Sequence, residues 1–136
     1  MRKATLTART TGSLLVAGVA SLLIASPGMG HHSGEMFERE LSVTLTGTVA
    51  EFRYINPHSW LLVDIENDDG TITRWGFEAE GPQDLMHGGV RKGDLPPGER
   101  ITITGRPMRD GRPAAAWSSL VKEDGTVLNW RTPGPD

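Results

Sequence analysis

The chain has 136 residues, no cysteine and a formal net charge of −3. That length suits one domain, and the missing thiols exclude disulfides and cysteine nucleophiles. Mild acidity without a basic run argues against nucleic acid, whose binding rests on Lys and Arg at the phosphates.

Arg2, Lys3 and Arg9 make a basic start, and residues 14–25, "LLVAGVASLLIA", are all apolar or small. A bilayer span needs about 20 such residues, so this run has the length of a signal-peptide core instead. Pro27 ends it, and Gly28 and Gly30 offer a small-x-small cleavage site. Residues 1–30 are therefore expected to be a secretory signal peptide cut after Gly30. An uncleaved anchor or a buried helix is the alternative. Cleavage leaves 106 residues starting at His31. It removes three basic and no acidic residues, so the formal charge moves from −3 to −6. The expected product is periplasmic or secreted, with no membrane span after cleavage.

Residues 31–41 are polar and read as an N-terminal arm. The pattern then turns to strands. In "SVTLTGTVAEFRYIN", residues 42–56, Val43, Leu45, Gly47 and Val49 share one phase of a two-residue alternation, while Phe52 and Tyr54 lie on the other. The phase change predicts a β-bulge near Ala50 or a bend at Gly47. "HSWLLVDIE" (58–66) is apolar on both phases and reads as a buried second strand. "NDDG" (67–70) is a hairpin turn in which Gly70 takes positive φ. "TITRWGFEAE" (71–80) is the third strand. Pro82 then opens a short helix, "PQDLMH", ended by Gly88 and Gly89. "RITITGRPM" (100–108), "PAAAWSSLVK" (113–122) and "TVLNW" (126–130) follow as strands, and residues 131–136 read as a disordered tail.

Three strands, a short helix and then two more strands is the order of an OB-like barrel. The fold class is accordingly all-β, mainly antiparallel, with five to six strands and one helix between the third and fourth. The barrel is assigned to residues 42–130. An open meander or a small sandwich is the alternative.

Several segments are also familiar together. "HHS" at 31–33, "VTLTGTV", "INPHSWLLVDI" and "PGERITITGRP" resemble the small exported bacterial proteins of the DUF6152 family, from His31 to about Trp130. The resemblance implies an exported single-domain protein without an established activity. Two segments depart from the family pattern. Gly34 follows Ser33 where the family continues with an aromatic residue, and His87 in "LMHGGVRKGDL" lies where the family has no histidine.

Two groups of residues could carry chemistry. If His31 is the first residue, its α-amine and imidazole form a chelate, and a further imidazole from His32 or His58 completes a nitrogen set suited to Cu(II). Zinc could use three imidazoles. The plain alternatives are a polar arm with no metal, or an arm that docks on a partner. In "INPHSW", Asn56 and Pro57 make a turn, and His58 and Trp60 enter the second strand. OB-folds bind ligands across strands two and three and the adjoining loops. Asn56, His58 and Trp60 are therefore the candidate ligand-binding residues, unless His58 only bonds the loop and Trp60 only fills the core. Trp75 and Phe77 share one face of the third strand and read as core; the alternative is an exposed stacking platform for sugars, lipids or aromatic ligands. Glu78 and Glu80 alternate on one strand face. Asp64, Glu66, Asp68 and Asp69 gather at a turn without EF-hand spacing and read as solvated.

There is no G-x-S-x-G, P-loop, dinucleotide fingerprint or H-E-x-x-H. Ser33 beside His32 is no triad, because neighbours in an extended chain point apart. The leading expectation is a non-enzymatic binding module for a small ligand or an exported partner protein. A periplasmic metal-binding protein, copper first and zinc second, comes next. An oxidative copper enzyme on the same histidines is the third and weakest reading.

Overall fold

The computed structural model describes residues 35–130. The cleavage site, His31, His32 and the tail at 131–136 lie outside the described residues. Six strands and one helix follow in order: β1 (Val43–Arg53), β2 (Ser59–Glu66), β3 (Ile72–Ala79), α1 (Pro82–His87), β4 (Arg100–Pro107), β5 (Ala114–Lys122) and β6 (Val127–Leu128). Neighbouring strands run β3-β2-β1-β4-β5-β6, and β3 also pairs with β5. That last contact, Gly76 to Glu78 against Ala114 to Ala116, is parallel and closes a five-stranded barrel. The closure has OB-fold topology, with β6 added along the edge of β5.

The strand β1 makes closure possible by serving two neighbours. It pairs with β4 through Thr48 and with β2 from Thr48 onward. Between Val49 and Glu51 the pairing with β2 slips by one residue. This is the expected bulge at Ala50, and it swaps the inward phase from Val49 to Phe52. Gly47 sits where β1 crosses over the β2–β3 side. A Cβ there would lie 2.5 Å from the Asp64 carbonyl oxygen and 2.6 Å from Ile65 Cδ1. Only a hydrogen fits, so the bend belongs to this glycine. At Gly105 a Cβ would meet the Ala116 carbonyl oxygen at 2.6 Å, next to a second register slip, between β4 and β5.

Inward residues alternate along each strand, as the pleat requires. Leu61, Val63, Phe77, Ile103, Ala115 and Leu120 are fully enclosed. The helix caps one end of the barrel through Leu85. The Tyr54 hydroxyl lies 2.9 Å from the Pro82 carbonyl and 3.0 Å from that of Val90, which ties the end of β1 to both sides of α1. Trp75 and Phe77 stack with ring centroids 6.1 Å apart on the inner face of β3. Phe77 is core and Trp75, partly buried, packs against it, as their shared phase predicts. Among the described residues, no helix is long and apolar enough to cross a membrane.

The start of the described chain is anchored. Phe37 is 2 % exposed and bridges Met108 just beyond β4. Around it the Glu38 amide donates to the Pro107 carbonyl and the Arg109 amide to the Met36 carbonyl, both at 2.9 Å. Of the apolar residues in the mostly polar arm, Phe37 is the buried one, and it fixes the arm to the β4–β5 connection.

Candidate functional site

The segment Asn56–Trp60 joins β1 to β2. The Asn56–Pro57 peptide is cis, and the turn is closed from two sides. Ser59, fully buried, places its hydroxyl 3.4 Å from the Ile55 carbonyl. Gly81 lies so close that a Cβ would meet Asn56 Oδ1 and the Pro57 carbonyl oxygen at 2.9 Å. Asn56 itself is exposed. Its side chain lies against Gly81, so the turn explains its position.

His58 and Trp60 sit on the outer face. In β2, Ser59, Leu61, Val63 and Ile65 are buried and Trp60, Leu62 and Asp64 are half-buried. Trp60 is no part of the buried core cluster. It pairs with Arg53 on β1 and with Glu78 on β3. Its benzo edge leans diagonally over Gly76, where a Cβ would stand 3.3 Å from Cε3 and Cζ3. An aromatic ring laid over a strand glycine shields that backbone, which accounts for the tilt. The other side of the indole faces outward.

Glu78 is the unexpected member. It points outward, opposite Trp60, yet is only 8 % exposed. His58 Nδ1 approaches Glu78 Oε1 at 3.3 Å and Glu80 Oε2 at 3.9 Å. Burial pushes the Glu78 carboxyl up, His58 pulls it down, and Glu80 raises it further. The alternation of Glu78 and Glu80 was legible in the sequence. The burial of Glu78 was not, because it depends on what Trp60 and His58 do from the next strand.

This arrangement gives a signed pH dependence. A carboxyl whose folded-state pKa is raised contributes stability while protonated and loses it as pH rises through that pKa. Gln cannot ionise, so Glu78→Gln should match the wild type near pH 4 and melt higher at pH 8. Thermal midpoints at the two pH values measure it. A less stable variant at pH 8 would mean that His58 outweighs burial.

The remaining predicted residues are placed apart. Asp64 forms a two-pronged pair with Arg74, at 2.7 and 2.9 Å. The Asp69 carboxylate accepts from the Thr71 amide and hydroxyl within the β2–β3 turn. His87 is exposed at the end of α1. Among the described residues, no three His, Cys, Asp or Glu side chains gather to hold a metal ion. His31 and His32, the other histidines of the expected metal set, lie outside the described residues.

A family model described as "Family of unknown function (DUF6152)" matches residues 19–117. No curated protein and no solved structure matches the chain.

Proposed function

Since this chain belongs to the DUF6152 family, whose function is not known, we propose from its own geometry that it is an exported, non-enzymatic binding module. The ligand surface is the outer face of β2 and β3 beside the Asn56–Pro57 turn. One observation carries this reading: Trp60 lies outside the core, half-buried, beside a carboxylate that is enclosed on an outward face. Large aromatic side chains usually join the core. Here Trp60 stands outside the core cluster, and the ring lies across the strand pair from the Glu78 carboxylate instead. In OB-folds this is the face that takes ligands.

The experiment is a variant comparison on processed, tag-free protein, read by NMR against a library of small fragments. Trp60→Ala and His58→Ala should remove binding by about tenfold or more, and His31→Ala should leave it intact. Binding that survives Trp60→Ala and is lost with His31→Ala would contradict this reading.

One observation favours a metal reading as the second. Nδ1 of His58 faces Glu78, which leaves Nε2 as the metal-binding nitrogen, in the way carboxylates commonly orient histidine ligands. On this reading copper binds one-to-one to the processed protein, and one extra Ala before His31 abolishes it. Equal weak binding by both forms would contradict it.

A further inference from the structure

The barrel leaves one edge of β1 open. β1 pairs with β4 as far as Thr48 opposite Arg100. Val49 then donates its amide to the Glu99 carbonyl and accepts from the Gly98 amide, both at 2.8 Å. Beyond that point only β2 pairs with β1, on its other side. In an antiparallel strand the backbone groups of successive residues turn to opposite edges. The Asn67 amide donates to the Thr71 carbonyl across the β2–β3 turn, so Ile65, Val63 and Leu61, in step with it, bond β3. Leu61 stands opposite Phe52. That pair exchanges no hydrogen bonds, and the Phe52 amide and carbonyl point away from β2 into the open edge. Tyr54, next in step, makes no bond to another backbone group among the described residues. Facing this edge is a groove of about 530 Å³, lined by Glu51 and Phe52 on β1 and by Lys92, Leu95, Pro96 and Pro97 in the α1–β4 connection. Pro96 and Pro97 have no amide hydrogen, so they cannot extend the ladder that Gly98 and Glu99 begin. The mouth of the groove is positive. Arg53 holds the Glu51 carboxylate at 3.0 Å, and the Asp94 carboxylate accepts from the Arg91 amide. Lys92 is exposed and joins none of the ion pairs among the described residues.

We propose that this groove takes an extended peptide segment of a partner protein, added as a strand to the free edge of β1. Its backbone bonds Phe52 and Tyr54, an apolar side chain enters the space beside Phe52 and Leu95, and an acidic side chain meets Lys92. An unpaired edge is a template for another strand. Strand addition draws affinity from main-chain bonds and selectivity from pockets for alternate side chains, and this groove offers both. Residues 131–136 of the chain itself suit the edge poorly, because Pro133 and Pro135 lack alternate amides that a ladder needs. The groove lies on the side of β1 away from β2, so this proposal stands or falls apart from the ligand face of β2 and β3.

The test is amide hydrogen exchange and NMR on the 15N-labelled processed protein, first alone and then with blocked pentapeptides that alternate Val and Thr and begin with Glu or Lys. In the free protein the Phe52 and Tyr54 amides should exchange about a hundredfold faster than those of Leu61 and Val63. The Glu peptide should shift and protect both amides. It should bind about threefold tighter than the Lys peptide, the size of an exposed ion pair, and Lys92→Glu should reverse that order. N-methylation of one alternate set of peptide amides should weaken binding about tenfold or more, and of the other set should leave it unchanged. Slow exchange of Phe52 in the free protein overturns the proposal. If a chain ending at Trp130 abolishes that protection, the edge belongs to the protein's own tail; if protection rises with protein concentration, it belongs to a second copy. Binding that tolerates both N-methylated sets, shifts that fall outside Phe52, Tyr54 and residues 92–97, or no shift with either peptide at millimolar concentration also overturns it.

Discussion

Replacing Gly47 with alanine should destabilise the barrel by about 3 kcal/mol or more, at the upper end of what overpacking a core costs. The added methyl group meets the Asp64 carbonyl oxygen at 2.5 Å, Ile65 Cδ1 at 2.6 Å and Val63 Cγ1 at 2.9 Å. The nearest of these is backbone in a paired strand, so it cannot swing aside as a surface side chain would. Relief requires β1 and β2 to separate where the barrel turns. Gly93→Ala is the matched control, because nothing lies within 4 Å of its Cβ position. It should change stability by less than about 0.5 kcal/mol. Urea denaturation of the two variants reads the difference. Equal stability would mean that β1 does not need its glycine to bend.

The second large effect separates the aromatics of adjacent strands. Phe77 is fully enclosed, and Trp60 is half-buried outside the core. Phe77→Ala removes a ring from a packed interior and should cost about 3–5 kcal/mol. Trp60→Ala removes a ring that covers one glycine, and should cost about 1 kcal/mol, the value of partial apolar burial. The two residues lie on neighbouring strands and differ in the face they occupy, so the contrast isolates that face. The same Trp60 variant should lose ligand binding, whereas Phe77→Ala should lose it only by unfolding. A Trp60→Ala cost as large as that of Phe77→Ala would place Trp60 in the core and remove the basis of the binding face.

The fold was legible because its signals are local. Alternation marked each strand, Asp69-Gly70 marked a hairpin, and Pro82 with Gly88 and Gly89 bracketed the helix at the observed bounds. The phase change from Val49 to Phe52 located the bulge without any knowledge of the partner strand. The site was legible only in part. The sequence placed His58 and Trp60 beside a turn at the start of the second strand, but it left Trp60 open between core and surface. Both phases of "SWLLVDI" are apolar, and the choice of face follows from register against Phe77 and Gly76. Three features were beyond local reading. The enclosure of Glu78 depends on side chains from β2. The close approach of Gly81 to Asn56 and Pro57 joins residues 24 and more apart in the chain. Phe37 stands in a mostly polar arm beside Met36 and Leu41, which stay exposed, and no alternation there reveals that it packs against Met108.

A groove lined by Thr46, Arg100, Thr102 and Val121 lies elsewhere on the barrel; the central claim is that the outer face of β2 and β3, and not this groove or the chain terminus, is where this protein meets its ligand. The most direct measurement is a chemical-shift map of the processed, tag-free protein against a small-molecule fragment library. Perturbations that gather at His58, Trp60 and Glu78 are the predicted result. Perturbations that gather instead around Thr46, Arg100 and Val121, or at residues 31–36, would contradict the claim.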